Sequence, residues 1–87
     1  MMFRMMSMKV CVKLLATYRK LLPPEAKNYK FEVEIPAGTT VAELMSQYGV
    51  PLTEDSVFLV NGITPKSLEQ ELVEGDVIAA FSAMAGG

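Results

Sequence analysis

The 87 residues allow one domain and one core, and a chain this short buries only about 60% of the surface it exposes when unfolded. Apolar residues make up 51% of the sequence, enough for a packed core and too many for a disordered chain. One cysteine (Cys11) and no histidine exclude an internal disulfide, a cysteine-cluster metal site and a Ser-His catalytic arrangement, and the net charge of −2 gives no electrostatic reason to bind nucleic acid or an anionic membrane.

The first residues, 1–7, are methionine-rich and read as a disordered extension, with Met8 an alternative start. They are no signal peptide, because the apolar run that follows is broken by Lys9 and Lys13. No stretch approaches the 18 or so apolar residues that span a bilayer, and the expected location is cytoplasmic.

Residues 9–16 alternate, with Val10, Val12 and Leu14 on one face and Lys9, Cys11 and Lys13 on the other, which predicts a first strand. Cys11 reads as a packing residue there and not as a sulfur relay. Residues 17–22 are ambiguous, and Pro23-Pro24 ends whatever they form. Tyr29, Phe31, Val33 and Ile35 alternate with Lys30, Glu32 and Glu34, predicting a second strand closed by Pro36-Ala37-Gly38. Seven of the eight basic residues lie in the first 30 positions and nine of the ten acids follow. Pairing the strands lets Lys9 and Lys13 face Glu32 and Glu34, and a basic docking patch is the competing reading.

Thr40 and Glu43 have the spacing of a capping box, and Val41, Leu44, Met45 and Tyr48 follow helical periodicity, so a short helix begins at Thr40. Gly49 suits the left-handed position after its last turn, and Pro51 prevents continuation. Residues 57–60 form an apolar strand that reverses at Asn61-Gly62. Residues 67–73 have room for one loose helical turn, and Glu74-Gly75-Asp76 turns the chain again. The unbroken apolar run of residues 77–81 predicts a strand buried on both faces. These elements make an α+β domain with one mixed sheet and one main helix. After Phe81 come Ser82-Ala83-Met84-Ala85-Gly86-Gly87, six small or flexible residues expected to form a mobile tail.

In that order the motifs resemble the ubiquitin-like sulfur-carrier family that includes the small subunit of molybdopterin synthase and the thiamine carrier ThiS. Val12-Lys13-Leu14-Leu15-Ala16-Thr17-Tyr18-Arg19-Lys20-Leu21 is similar to the first strand and turn of the molybdopterin subunit, and Gly38-Thr39-Thr40-Val41-Ala42-Glu43-Leu44 to the family's helix entry. Val60-Asn61-Gly62 resembles the family's third-strand turn. Glu74-Gly75-Asp76-Val77-Ile78-Ala79-Ala80-Phe81 matches its last turn and strand, and Gly86-Gly87 its functional end. The resemblance implies a β-grasp domain over residues 8–81, first and last strands parallel at its centre, and a functional tail over residues 82–87.

It also implies a chemistry. The Gly87 carboxylate is adenylated by an ATP-using partner related to ubiquitin-activating enzymes, then converted to a thiocarboxylate by a sulfur donor enzyme. Gly86, Ala85 and Met84 thread the partners' channels, where a missing Cβ permits close approach. Phe81, Leu15 and Arg19 form the docking surface for that enzyme and for the acceptor, a large synthase subunit or a thiazole synthase. The carrier is then a cosubstrate and no enzyme, binding neither cofactor nor metal itself. The long first loop with Arg19 and Pro23-Pro24 resembles the molybdopterin type, whereas Ser82-Ala83 in place of two prolines reads more like the thiamine carrier. A ubiquitin-like protein modifier and a non-covalent β-grasp interaction module are the readings from other classes.

Overall fold

The computed structural model describes residues 6–83. Met84, Ala85, Gly86 and Gly87, and residues 1–5 of the N-terminal extension, lie outside the described residues.

Strand β1 (Ser7–Leu14) carries the predicted alternation, with Met8, Val10, Val12 and Leu14 buried and the intervening residues turned away from the core. It starts at Ser7, earlier than its apolar pattern begins, because the Ser7 hydroxyl donates to Glu34 at 2.8 Å. The Met6 carbonyl also accepts from the Ala37 N–H at 2.9 Å, so Met6 and Ser7, the last two residues of the extension as read, are tied to β2 and the turn after it.

A 3₁₀ helix (Ala16–Leu21) follows, and Tyr18 is its one buried residue. Strand β2 (Lys30–Pro36) runs antiparallel to β1, with Val12 opposite Phe31 and Met8 opposite Ile35. The predicted facing of lysines by glutamates holds in the register at one position only. Lys9 is opposite Glu34, but Cys11 is opposite Glu32 and Lys13 is opposite Lys30. Tyr29 is not in the strand at all. It has φ of 67°, directly after Asn28 at 54°, so the alternation breaks one residue before the pairing starts.

Helix α1 (Val41–Gln47) has the capping box the sequence predicts: the Glu43 N–H donates to Thr40 Oγ1 at 3.1 Å, and the Thr40 N–H donates to Glu43 Oε1 at 3.0 Å. The next two amides are satisfied from elsewhere, Val41 N–H by the Gln70 carbonyl at 3.0 Å and Ala42 N–H by the Leu68 carbonyl at 2.9 Å. All the amides that a helix start leaves unpaired are therefore used internally. This also explains why residues 67–73 form no helical turn. They run as an irregular strap with a tight turn at Leu68-Glu69, and the Leu68 and Gln70 carbonyls are given to the helix start. Val41, Leu44 and Met45 are fully buried, and Gly49 ends the helix with φ of 77°.

Strand β3 (Ser56–Val60) and strand β4 (Val77–Ser82) complete a sheet of order β2-β1-β4-β3. β4 is parallel to β1, Val12 beside Ile78 and Leu14 beside Ala80, and antiparallel to β3. The two chain ends thus supply the two central strands. The apolar run of β4 is not buried on both faces: Ile78 and Ala80 are buried beneath the helix, whereas Val77, Ala79 and Phe81 are half-buried. A single helix can cover only one side of the sheet.

Candidate functional site

The register assigns the residues of the helix-free face. From β4 come Val77, Ala79 and Phe81; Val57 lies opposite Phe81, Leu59 opposite Ala79, and Cys11 beside Val77. All six are half-buried, so one half of this face is a continuous apolar strip. The other half is charged, with Lys9 and Lys13 from β1 and Lys30, Glu32 and Glu34 from β2. An apolar strip with a charged flank is the composition of a protein-docking surface.

The strip ends where β4 ends. Ser82 is opposite Ser56, and the Ala83 N–H donates to the Asp55 carbonyl at 2.6 Å, which fixes the direction in which the chain leaves the sheet. Behind this point the Ser56 hydroxyl donates to the Pro51 carbonyl at 2.7 Å, leaving the Tyr18 hydroxyl as the donor to Ser56 Oγ. Ser82 Oγ is buried with no hydrogen-bond partner among the described residues.

Because β1 and β4 are parallel, β1 delivers its own C-terminal end to the same pole. The Leu15 N–H donates to the Ala80 carbonyl at 2.9 Å, and the 3₁₀ helix folds back against β4. Arg19, on that helix, is exposed and held in place: its Nε–H donates to the Ala16 carbonyl at 3.2 Å, one of its terminal N–H groups to the Tyr29 hydroxyl at 3.5 Å, and its guanidinium lies 5.4 Å from the Tyr29 ring centre. The backbone is strained around it, with Ala16 at φ of 55° and Asn28-Tyr29 both left-handed. The predicted docking residues Phe81, Leu15 and Arg19 therefore gather at the pole from which residues 84–87 continue.

Sequence reasoning missed Val57, Leu59, Val77 and Ala79 as surface residues. The signal was present: β3 and β4 are apolar in both phases of the alternation, and a chain with one helix leaves one phase uncovered. Among the described residues no group of three or more His, Cys, Asp and Glu side chains is placed to hold a metal. No helix is long and apolar enough to cross a membrane among them.

A four-stranded mixed sheet with parallel central strands, one helix across a single face and an apolar strip on the other defines a ubiquitin-like β-grasp protein. The chain matches the ThiS family over residues 12–87, and it belongs to that family. Its relatives are small carrier proteins rather than catalysts, working with activating enzymes and synthase large subunits. Among solved structures it is similar to a candidate molybdopterin converting factor, subunit 1, from Pyrococcus furiosus, at 30% identity and TM-score 0.66, over 86% of this chain and 97% of that one. It shares the fold of SAMP1 from Haloferax volcanii, at 20% identity and TM-score 0.67, over 91% of this chain and 99% of that one. It shares it also with a Caldiarchaeum subterraneum ubiquitin, at 13% identity and TM-score 0.55, over 93% and 99%. No curated protein matches the chain.

Proposed function

We propose that this protein is a sulfur carrier of the cytoplasm whose working group is the Gly87 carboxylate. The observation that carries the reading is the extent of the family match, which runs from Val12 in β1 to Gly87. The chemistry follows from what a carboxylate lacks. Its oxygen cannot be expelled at neutral pH, so an activating enzyme first joins it to AMP from ATP with loss of pyrophosphate. Sulfur from a donor enzyme then displaces AMP and leaves a thiocarboxylate, a soft nucleophile at neutral pH. The chain's own part is to present the tail: Phe81 and the strip around it dock on each partner, Arg19 and Leu15 flank that contact, and Met84, Ala85 and Gly86 thread to the partner's reacting centre.

The sulfur acceptor we favour is the pterin of the molybdenum or tungsten cofactor, delivered through a large synthase subunit. Support comes from the 30% identity to the Pyrococcus furiosus subunit and from the 3₁₀ helix and loop between β1 and β2 that carry Arg19. The thiazole of thiamine is the alternative acceptor. A ubiquitin-like modifier would use the same adenylated tail but end as an isopeptide on a lysine. The experiment that separates them converts Gly87 to the thiocarboxylate and offers it to each synthase in turn. Sulfur in the pterin dithiolene is the expected result; sulfur in thiazole alone would replace molybdopterin by thiamine, and lysine adducts without either would replace the carrier by a modifier.

A further inference from the structure

Asn61 and Gly62 make the reversal after β3, both with positive φ, at 55° and 83°. Asn61 lies at the surface, yet both ends of its carboxamide are held. Its Oδ1 accepts from the Val77 N–H at 2.9 Å, and its Nδ2–H donates to Asp76 Oδ1 at 2.9 Å. The second Asp76 oxygen accepts from the Val73 N–H at 2.9 Å, and the Asn61 N–H donates to the Val77 carbonyl at 2.8 Å. Asp76 is only 7% exposed. The side chain of one turn is thus clipped to the side chain of another.

An asparagine followed by glycine has an intrinsic reactivity. With no Cβ on the next residue, the following backbone nitrogen is unshielded and can attack the asparagine side-chain carbon. In this fold that attack requires the carboxamide to swing onto Gly62, which breaks its bonds to Val77 and Asp76 together. The reaction therefore waits on local opening of the turn.

We infer that Asn61 is a modification site of this protein, a deamidation site whose rate is set by the clip to Asp76. The Gly62 nitrogen forms a bond to Asn61 Cγ, the Cγ–Nδ2 bond breaks, and ammonia leaves with the proton from Gly62. Water then opens the succinimide at one of its two carbonyls, leaving aspartate or isoaspartate at position 61. Neither oxidant nor cofactor takes part. The product places a carboxylate where Asp76 had a donor, and two carboxylates at hydrogen-bond distance repel. The step is irreversible, and it removes the tie between the β3 reversal and the start of the central strand β4.

The test follows isoaspartate at residue 61 by peptide mapping at neutral pH in the full chain, folded and urea-unfolded, and in Asp76→Ala. The folded protein is expected to react at least about tenfold more slowly than the unfolded one, because a turn held by several hydrogen bonds is open only a small fraction of the time. Asp76→Ala is expected to approach the unfolded rate while its circular dichroism remains native. Equal rates in folded and unfolded wild-type chain would overturn the proposal. A second arm needs no reactive asparagine: Asn61→Asp should melt below the wild type, and adding Asp76→Asn should restore the lost stability by exchanging the charges of the pair. A double variant no more stable than Asn61→Asp would equally refute the clip.

Discussion

Phe81 stands directly opposite Val57 across β4 and β3, on the sheet face that has no helix, one residue before the chain turns away at Ser82 and Ala83. An aromatic in that place is half-buried by its own sheet and, on the proposed function, completes its burial against a partner. Phe81→Ala is therefore expected to divide its effect unevenly. Truncating an interface aromatic of this kind commonly costs about 2 kcal/mol or more of binding, which is about thirtyfold in Kd. Calorimetric titration against the activating enzyme measures that loss. The melting temperature should fall less than it does for Leu44→Ala.

Leu44 is fully buried on the core-facing side of α1, so Leu44→Ala should destabilise the domain by roughly 2–5 kcal/mol, the usual cost of a cavity in a packed core. In a domain with the thin margin expected at this size, urea melts should show a fraction of the chain unfolded without denaturant.

Thr40 accepts from the Glu43 amide at the start of α1, and Thr40→Ala leaves that amide without its partner. The expected loss is about 1 kcal/mol. In a domain of this size that is a fall of roughly 4–8 °C in melting temperature. Thr40→Ser should retain most of the stability, which isolates the hydroxyl as the cause.

Lys13 and Lys30 are directly opposite across β1 and β2, a like-charge pair in register. Lys30→Glu should stabilise the domain by roughly 0.2–1 kcal/mol, and the gain should shrink as salt is added. If the pair is kept for an acidic partner, the same variant should slow association with that partner while improving the melt.

Tyr48 packs edge-on against Phe31, ring centres 5.0 Å apart, and burial, reinforced by the nearby Glu25 carboxylate, raises its phenol above the ordinary tyrosine value of 10.0. The folded chain then keeps a proton that the unfolded chain gives up. The stability this provides is present below pH 10 and is lost as pH rises from there toward the folded value. Denaturant melts across that range should show the loss in the wild type and a smaller one in Tyr48→Phe.

Much of this architecture is legible in the sequence wherever local chemistry and tertiary packing agree. The Thr40–Glu43 capping box, the left-handed Gly49 and the Asn61-Gly62 reversal are local devices, each readable within a few residues. The parallel pairing of β1 with β4 is not local. It followed from the family resemblance, and the sheet order bears it out. The failures share a cause. Tyr29 continues the apolar alternation into a left-handed turn, where its ring packs against Arg19 instead of the core. The strap over residues 67–73 gives the Leu68 and Gln70 carbonyls to the helix start, a contact that no local pattern announces. The apolar run of β4 predicts burial on both faces, and the half of it that no helix covers forms the apolar strip. Leu15 and Phe81 lie at one pole because the parallel central strands both end there, and the 3₁₀ helix that carries Arg19 folds back against β4.

The account rests most directly on the fate of one carboxylate. Intact-mass spectrometry of the chain incubated with ATP, its activating enzyme and a sulfur donor measures it, with a variant lacking Gly86 and Gly87 as control. The predicted result is replacement of one Gly87 oxygen by sulfur in the full chain, dependent on all three additions, with no change in the shortened chain although its melt is unaltered. A full chain that keeps an unmodified carboxylate under these conditions, or a shortened chain that gains sulfur equally well, would contradict it.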